Sequence, residues 1–144
     1  MLLVLGRDNL KFTSTSGKEY SVDIRPSRWK RKEVGEGRGL FQSDVGGILA
    51  REYNGDYILE EFGLPGEGLY LDFFLPIARV AVEVQGQQQN KYSKFFHGDK
   101  SKLIEQQQRD RRKASWCELN SIRLVLIPYN ASEEKILKLI KPAS

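Results

Sequence analysis

The chain has 144 residues, 40% hydrophobic and 29% charged, which suits one soluble globular domain with a single core. Its net charge of +4 is a modest basic excess, compatible with nucleic acid without demanding it. The single cysteine, Cys117, excludes an internal disulfide, and no apolar run approaches the roughly 18 residues of a membrane span, so a reducing, cytoplasmic setting without membrane or signal peptide is expected.

In chain order, residues 2–5, 10–15 and 19–24 are predicted as short strands of a β-meander, with turns at Asp8-Asn9 and Ser16-Gly17. The stretch Arg25-Pro26-Ser27-Arg28-Trp29-Lys30-Arg31-Lys32 then gathers positive charge around a tryptophan. Arg25, Arg28, Lys30 and Arg31 are candidate phosphate ligands, and Trp29 a candidate for stacking on a base or sugar. The competing reading is a solvated loop with Trp29 folded onto the core. Residues 1–40 thus read as a β-rich extension with a basic linker, and residues 41–144 as an α/β core, together one compact domain.

A helix is predicted over residues 42–53 from Val45, Ile48, Leu49 and Tyr53 at helical spacing. Gly46-Gly47 weakens it by about 1 kcal/mol per glycine, so close packing must compensate. Asp44 is read as a capping residue. A strand over residues 57–62 places Glu60 and Glu61 on opposite faces.

Two apolar runs follow, Leu69-Tyr70-Leu71-Asp72-Phe73-Phe74-Leu75 and Arg79-Val80-Ala81-Val82-Glu83-Val84-Gln85, each interrupted by one acid. Both read as strands, so Leu69, Leu71, Phe73 and Leu75 should share one face, with Tyr70, Asp72 and Phe74 on the other. Likewise Val80, Val82 and Val84 oppose Ala81, Glu83 and Gln85. A hairpin pairing Leu75 with Val80 sets Asp72 directly across from Glu83, where Cβ atoms lie about 4.5–5.5 Å apart and like charges repel. Such a pair calls for a shared proton, a basic partner or a metal ion, and a divalent cation suits oxygen ligands. The plainer alternative is a pair of edge-strand acids facing solvent.

Residues 87–102 are polar and hold the single histidine, His97, a candidate phosphate contact or proton donor, or else a structural group. In a helix over residues 101–120, the stripe Leu103, Gln107, Asp110, Ala114 and Cys117 is expected to face inward. An inward Asp110 needs a partner, either the acid pair's site or an arginine. Lys113 is placed to reach that site or simply to pair with Asp110. Arg109, Arg111 and Arg112 flank this face as phosphate ligands or as solvated charge, and Trp116 joins the core. A strand over residues 122–127, buried on both faces except at Arg123, precedes a helix over residues 133–140 capped by Ser132. The sum is an α/β protein with a mixed sheet flanked by helices. A nucleotide- or cofactor-binding class finds no support, because there is no G-x-G-x-x-G, P-loop or Ser-His-Asp order.

Asp72 followed by Glu83-Val84-Gln85 resembles the D…(D/E)-x-K core of the PD-(D/E)XK nucleases, with Gln85 where lysine is usual. Leu71-Asp72-Phe73-Phe74-Leu75-Pro76, Glu83-Val84-Gln85-Gly86-Gln87-Gln88-Gln89, Phe95-Phe96-His97-Gly98 and Arg109-Asp110-Arg111-Arg112-Lys113 follow in this order. Together they resemble the small phage-encoded, very-short-patch-repair-like nucleases and homing endonucleases over residues 42–129. The resemblance implies a PD-(D/E)XK-type mixed sheet and a Mg²⁺- or Mn²⁺-dependent endonuclease acting on double-stranded DNA, in a host cytoplasm if phage-encoded. It implies Asp72, Glu83 and the Val84 carbonyl as metal ligands, with Gln42 and Asp110 as supporting polar groups. Gln85 would position the attacking water, His97 and Lys113 would serve the chemistry, and Arg109, Arg112 and residues 25–32 would grip the backbone. The chain departs from the pattern twice. Gln89 replaces a histidine, and Gln85 removes a positive charge that Lys113 is placed to restore. The alternative is therefore a DNA-binding or scaffold protein that keeps the fold without turnover. Cutting two strands needs two sites, which makes a homodimer plausible, although no interface signal is visible.

Overall fold

The computed structural model describes residues 9–25, 39–86 and 100–141. Strands β1 (Asn9–Thr13) and β2 (Glu19–Asp23) form an antiparallel two-stranded sheet. Strands β3 (Leu59–Leu64), β4 (Leu69–Leu75), β5 (Val80–Val84) and β6 (Arg123–Ile127) form a second sheet in the order β3-β4-β5-β6. The helices are α1 (Leu40–Glu52), α2 (Lys100–Leu119) and α3 (Glu133–Ile140). β3, β4 and β5 run antiparallel, while β6 returns parallel to β5 after the crossover that contains α2. The described residues thus form a mixed α/β fold with two sheets and three helices. None of these helices is long and apolar enough to cross a membrane.

The sheet is covered on both faces. Trp116 and Cys117 of α2 pack with Phe62, Phe74 and Ala81 on one side. Val45, Ile48 and Leu49 of α1 and Ile136 and Ile140 of α3 cover Phe73, Leu75, Val80, Val82 and Val125 on the other. The β1–β2 hairpin belongs to the α2-side core, burying Leu10 and Phe12; the Phe12 ring meets Phe62, Phe74 and Trp116 at centroid distances of 5.8, 5.9 and 5.3 Å. The β3–β4 turn is built to let it dock. Gly66 has φ 81, and a Cβ there would stand 2.8 Å from the Tyr20 ring, so only glycine fits. Beside it, buried Glu67 accepts the Thr15 N–H at 2.7 Å and pairs with Arg112 of α2 at 3.5 Å.

Several local expectations shift. The third strand of the meander, residues 2–5, lies outside the described residues. β3 begins at Leu59 rather than residue 57, because Asp56 accepts the N–H groups of Tyr57, Ile77 and Ala78 and ties that loop to the β4–β5 turn. Asp44 sits inside α1 and caps nothing, since the N-cap is Gly39. Ser132 does cap α3, accepting the Lys135 N–H at 3.2 Å. Arg123 is half-buried because its guanidinium donates to the Leu139 and Ile140 carbonyls at the end of α3.

Three corrections concern packing. Leu69 and Leu71 bury with Phe74 on the α2 side, whereas Phe73 and Leu75 bury on the other, so alternation along β4 breaks at Asp72. Across from Asp72, Glu61 has φ 53, and the ladder passes from Glu60↔Phe73 to Phe62↔Leu71 without it. The inward stripe of α2 is not the expected one. Gln107, Asp110 and Ala114 are exposed, while Gln106 and Lys113 are half-buried and Trp116, Cys117 and Asn120 buried. Asn120 sets this rotation by exchanging two hydrogen bonds with the Thr13 backbone, at 2.8 and 2.9 Å. Finally, β6 is not buried on both faces, because α2 covers only its beginning and leaves Leu126 49% exposed.

Candidate active site

The turn between β4 and β5 gives the expected register, Leu75↔Val80, Phe74↔Ala81 and Phe73↔Val82. There the backbone ladder stops. β4 still extends back to Leu69 and β5 forward to Val84, so the two strands part into a fork. β5 keeps its other partner, pairing with β6 as far as Val84↔Ile127. The fork orphans backbone donors that must find other acceptors. Two carboxylates supply them. Glu83 Oε2 accepts the Asp72 N–H and Asp72 Oδ2 accepts the Val84 N–H, each at 2.7 Å.

The parity of the parallel ladder orients one more group. Arg79 O accepts from Arg123 N–H and Gln85 N–H donates to Ile127 O, so the odd-numbered residues of β5 bond to β6. Val84 faces the other way, as its bond to Asp72 shows, and its carbonyl turns to the same fork.

Lys113 reaches over from α2 and donates to Glu83 Oε1 at 2.6 Å, with only 19% and 16% of the two side chains exposed. It passes Asp110, which instead accepts from Gln106 Nε2 at 3.0 Å. Of the two partners open to Lys113, the acid pair is the one it takes. Burial foremost, and then the Glu83 charge, push the Asp72 carboxyl up to about 7, although the Val84 N–H and Lys113 act against them. Burial likewise pushes the Cys117 thiol up to about 12, which makes it an inert core group.

A divalent cation fits this chemistry. Asp72 and Glu83 crowd one another, the Val84 carbonyl faces them, and a cation between the carboxylates would return Asp72 to its ordinary acidity. No group of three or more His, Cys, Asp or Glu side chains that could hold a metal occurs among the described residues. A cation here would rest on two carboxylates, a carbonyl and water, which suits Mg²⁺ because it keeps several waters.

Beside the fork, and sharing Glu83 and Lys113 with it, lies a cleft of about 200 Å³. Gln85, Gln106 and Asp110 make it polar on one side, and Leu124 and Leu126 of β6 make it apolar on the other. A wider groove of about 530 Å³ runs between α1 and α3, where Arg51 and Glu133 pair at 3.0 Å. The acid pair lies on the opposite face of the sheet.

The structure thus brings Asp72, Glu83, Val84, Gln85 and Lys113 together, with Asp110 at the margin of the cleft. Gln42 is half-buried near the start of α1, on the far face of the sheet, and makes no hydrogen bond to the acids among the described residues. Arg112 is turned to Glu67, donating to its carbonyl and forming an ion pair with its carboxylate at 3.5 Å. Arg109 donates to Gln106 Oε1 at 2.7 Å, and Arg25 pairs with Asp23 at 2.6 Å. Arg28, Trp29, Lys30, Arg31 and His97 lie outside the described residues. Gln106 was not singled out by the sequence reading. A stripe anchored on Trp116 and Asn120 instead of Ala114 would have found it, since Gln106, Lys113 and Asn120 are spaced by seven.

Two curated proteins are similar to part of the chain. Uncharacterized protein 033L of Invertebrate iridescent virus 3 is 35% identical over 66 residues, 46% of this chain and 34% of its own length. Uncharacterized protein 307L of Invertebrate iridescent virus 6 is 32% identical over 65 residues, 45% of this chain and 33% of its own length. The chain therefore spans about a third of the length of the curated relatives it matches. No protein-family model matches it, and no solved structure does.

Proposed function

We propose that this chain is a metal-dependent DNA endonuclease of the PD-(D/E)XK type, acting on double-stranded DNA. The observation that carries the reading is the fork, where Asp72 and Glu83 face each other across two parted strands with Lys113 2.6 Å from Glu83. Asp72, Glu83 and the Val84 carbonyl would hold Mg²⁺ or Mn²⁺, which when bound supplies an acidified water and a counter-charge for the phosphate. Glu83 is fixed at both oxygens, by Lys113 and by the Asp72 N–H, so little reorganisation separates the resting site from the loaded one. Lys113 brings a positive charge to the phosphate from α2, and the Gln85 amide orients a water by hydrogen bonding. Arg109, on the exposed face of the same helix, is the proposed backbone contact.

Plasmid incubated with purified protein in Mg²⁺ or Mn²⁺ should be nicked or linearised, and Asp72→Asn and Glu83→Gln should each abolish this. Intact plasmid in both metals would overturn the reading. One observation favours a second: Glu83 Oε1, Glu83 Oε2 and Asp72 Oδ2 are each already bonded to a protein group, as in a self-sufficient structural network. A DNA-binding or scaffold protein of this fold would bind DNA in a salt-sensitive way and cut in neither metal.

A further inference from the structure

The geometry points to the cleft beside the fork as the seat of one unpaired nucleobase of the bound strand, an inference that rests on the DNA reading above. The cleft of about 200 Å³ shares Lys113 and Glu83 with the fork, so a nucleotide whose phosphate meets Lys113 has its base beside the cleft. The two sides of that space suit the two surfaces of a base. Leu124 and Leu126 offer an apolar flank, with Leu126 left 49% exposed where α2 stops short of covering its own side of the sheet. A phosphate or a sugar would make no use of that flank, whereas the face of a base does.

Opposite stands the amide of Gln106, held so that it cannot turn over. Arg109 Nη2 donates to its Oε1 at 2.7 Å, and its Nε2 donates to Asp110 Oδ1 at 3.0 Å. A guanidinium can only donate and a carboxylate can only accept, which leaves the amide one orientation. One N–H and one lone pair remain over for a ligand, the donor–acceptor pattern by which side-chain amides read a base edge. A base still paired within a duplex has its Watson–Crick edge occupied and its faces stacked. The occupant is therefore a nucleotide that is bulged or single-stranded.

The test is fluorescence anisotropy in EDTA, where nothing is cut, with three DNAs: a fully paired duplex, the same duplex with one bulged nucleotide, and a single strand. Wild type should bind the bulged duplex about tenfold more tightly than the paired one, a difference of about 1.4 kcal/mol. Leu126→Trp, which fills the cleft from an exposed position, should remove that preference while leaving affinity for the paired duplex unchanged. Gln106→Leu, from the opposite wall, should remove the preference too, whatever it does to paired-duplex affinity through Arg109. The retained paired-duplex affinity of Leu126→Trp reports that it is folded, and urea unfolding reports the same of Gln106→Leu. Equal binding of bulged and paired duplex by wild type would overturn the inference and leave the DNA reading standing. A preference that survives both substitutions would overturn it as well. Binding of none of the three DNAs would bring down the DNA reading itself, and this inference with it.

Discussion

Replacing Asp72 with asparagine removes one charge from the fork while keeping an oxygen for the Val84 N–H. In the folded chain the Asp72 carboxyl is pushed from 3.8 up to about 7, chiefly by burial and then by Glu83. A folded-state value above the unfolded one means that the native protein binds this proton more tightly. The native state is therefore progressively penalised as pH rises from about 4 to about 7, and the penalty is complete above that. A rise of roughly three units corresponds to about 4 kcal/mol. Asparagine avoids it, being neutral like the protonated acid, and the penalty is already net of the charge-assisted bond that the ionised form accepts from Val84. In EDTA, Asp72→Asn should therefore be more stable than wild type by about 4 kcal/mol at pH 8.5 and by less than about 2 kcal/mol at pH 5. With a urea slope of about 2 kcal/mol per molar, the midpoint would move up by about 2 M at the higher pH. An unchanged midpoint at pH 8.5, or the same shift at both pH values, would refute the reasoning, since neither follows from a carboxylate that resists ionising. Adding Mg²⁺ at pH 8.5 should raise the midpoint of wild type and leave that of the variant almost still.

Lys113→Met leaves Glu83 beside Asp72 without its cation and should destabilise the chain by about 2 kcal/mol at pH 8, below the 3–5 kcal/mol of a fully buried pair because both side chains keep some exposure; urea unfolding reads this. Glu67→Ala removes the acceptor that joins Thr15 to Arg112, so amide exchange in β1 and β2 should quicken and stability fall by about 2 kcal/mol. Gly66→Ala, at φ 81 and against the Tyr20 ring, should cost at least about 2 kcal/mol. Gly47→Ala, in α1 with open space around its Cβ, should instead gain roughly 0.5–1 kcal/mol, and thermal unfolding of the two variants checks the contrast.

Much of this protein follows from local rules that a one-dimensional pattern obeys. A short turn between two apolar runs admits few registers, so Asp72 opposite Glu83 was legible before any packing was known, as was the Ser132 cap. Composition and periodicity likewise announce a mixed α/β chain with helices near residues 42–53, 101–120 and 133–140. Other features depend on how the elements meet. Whether Lys113 would join Asp110 or Glu83 turned on the rotation of α2, and Trp116 and Asn120 set that rotation by docking on the β1–β2 hairpin and the sheet. The fork arises because β4 breaks its alternation at Asp72 while β5 stays bound to β6. That is a competition between strands distant in sequence, and period-two patterning cannot register it. The exposed Leu126, read as core from its neighbours, reflects where α2 ends on the sheet. Sequence alone set which residues oppose one another across a short turn, because chain connectivity is enough for that. Tertiary structure chose the partners of Lys113 and Arg112, because a long side chain on a helix answers to whatever surface the rotated helix presents to it.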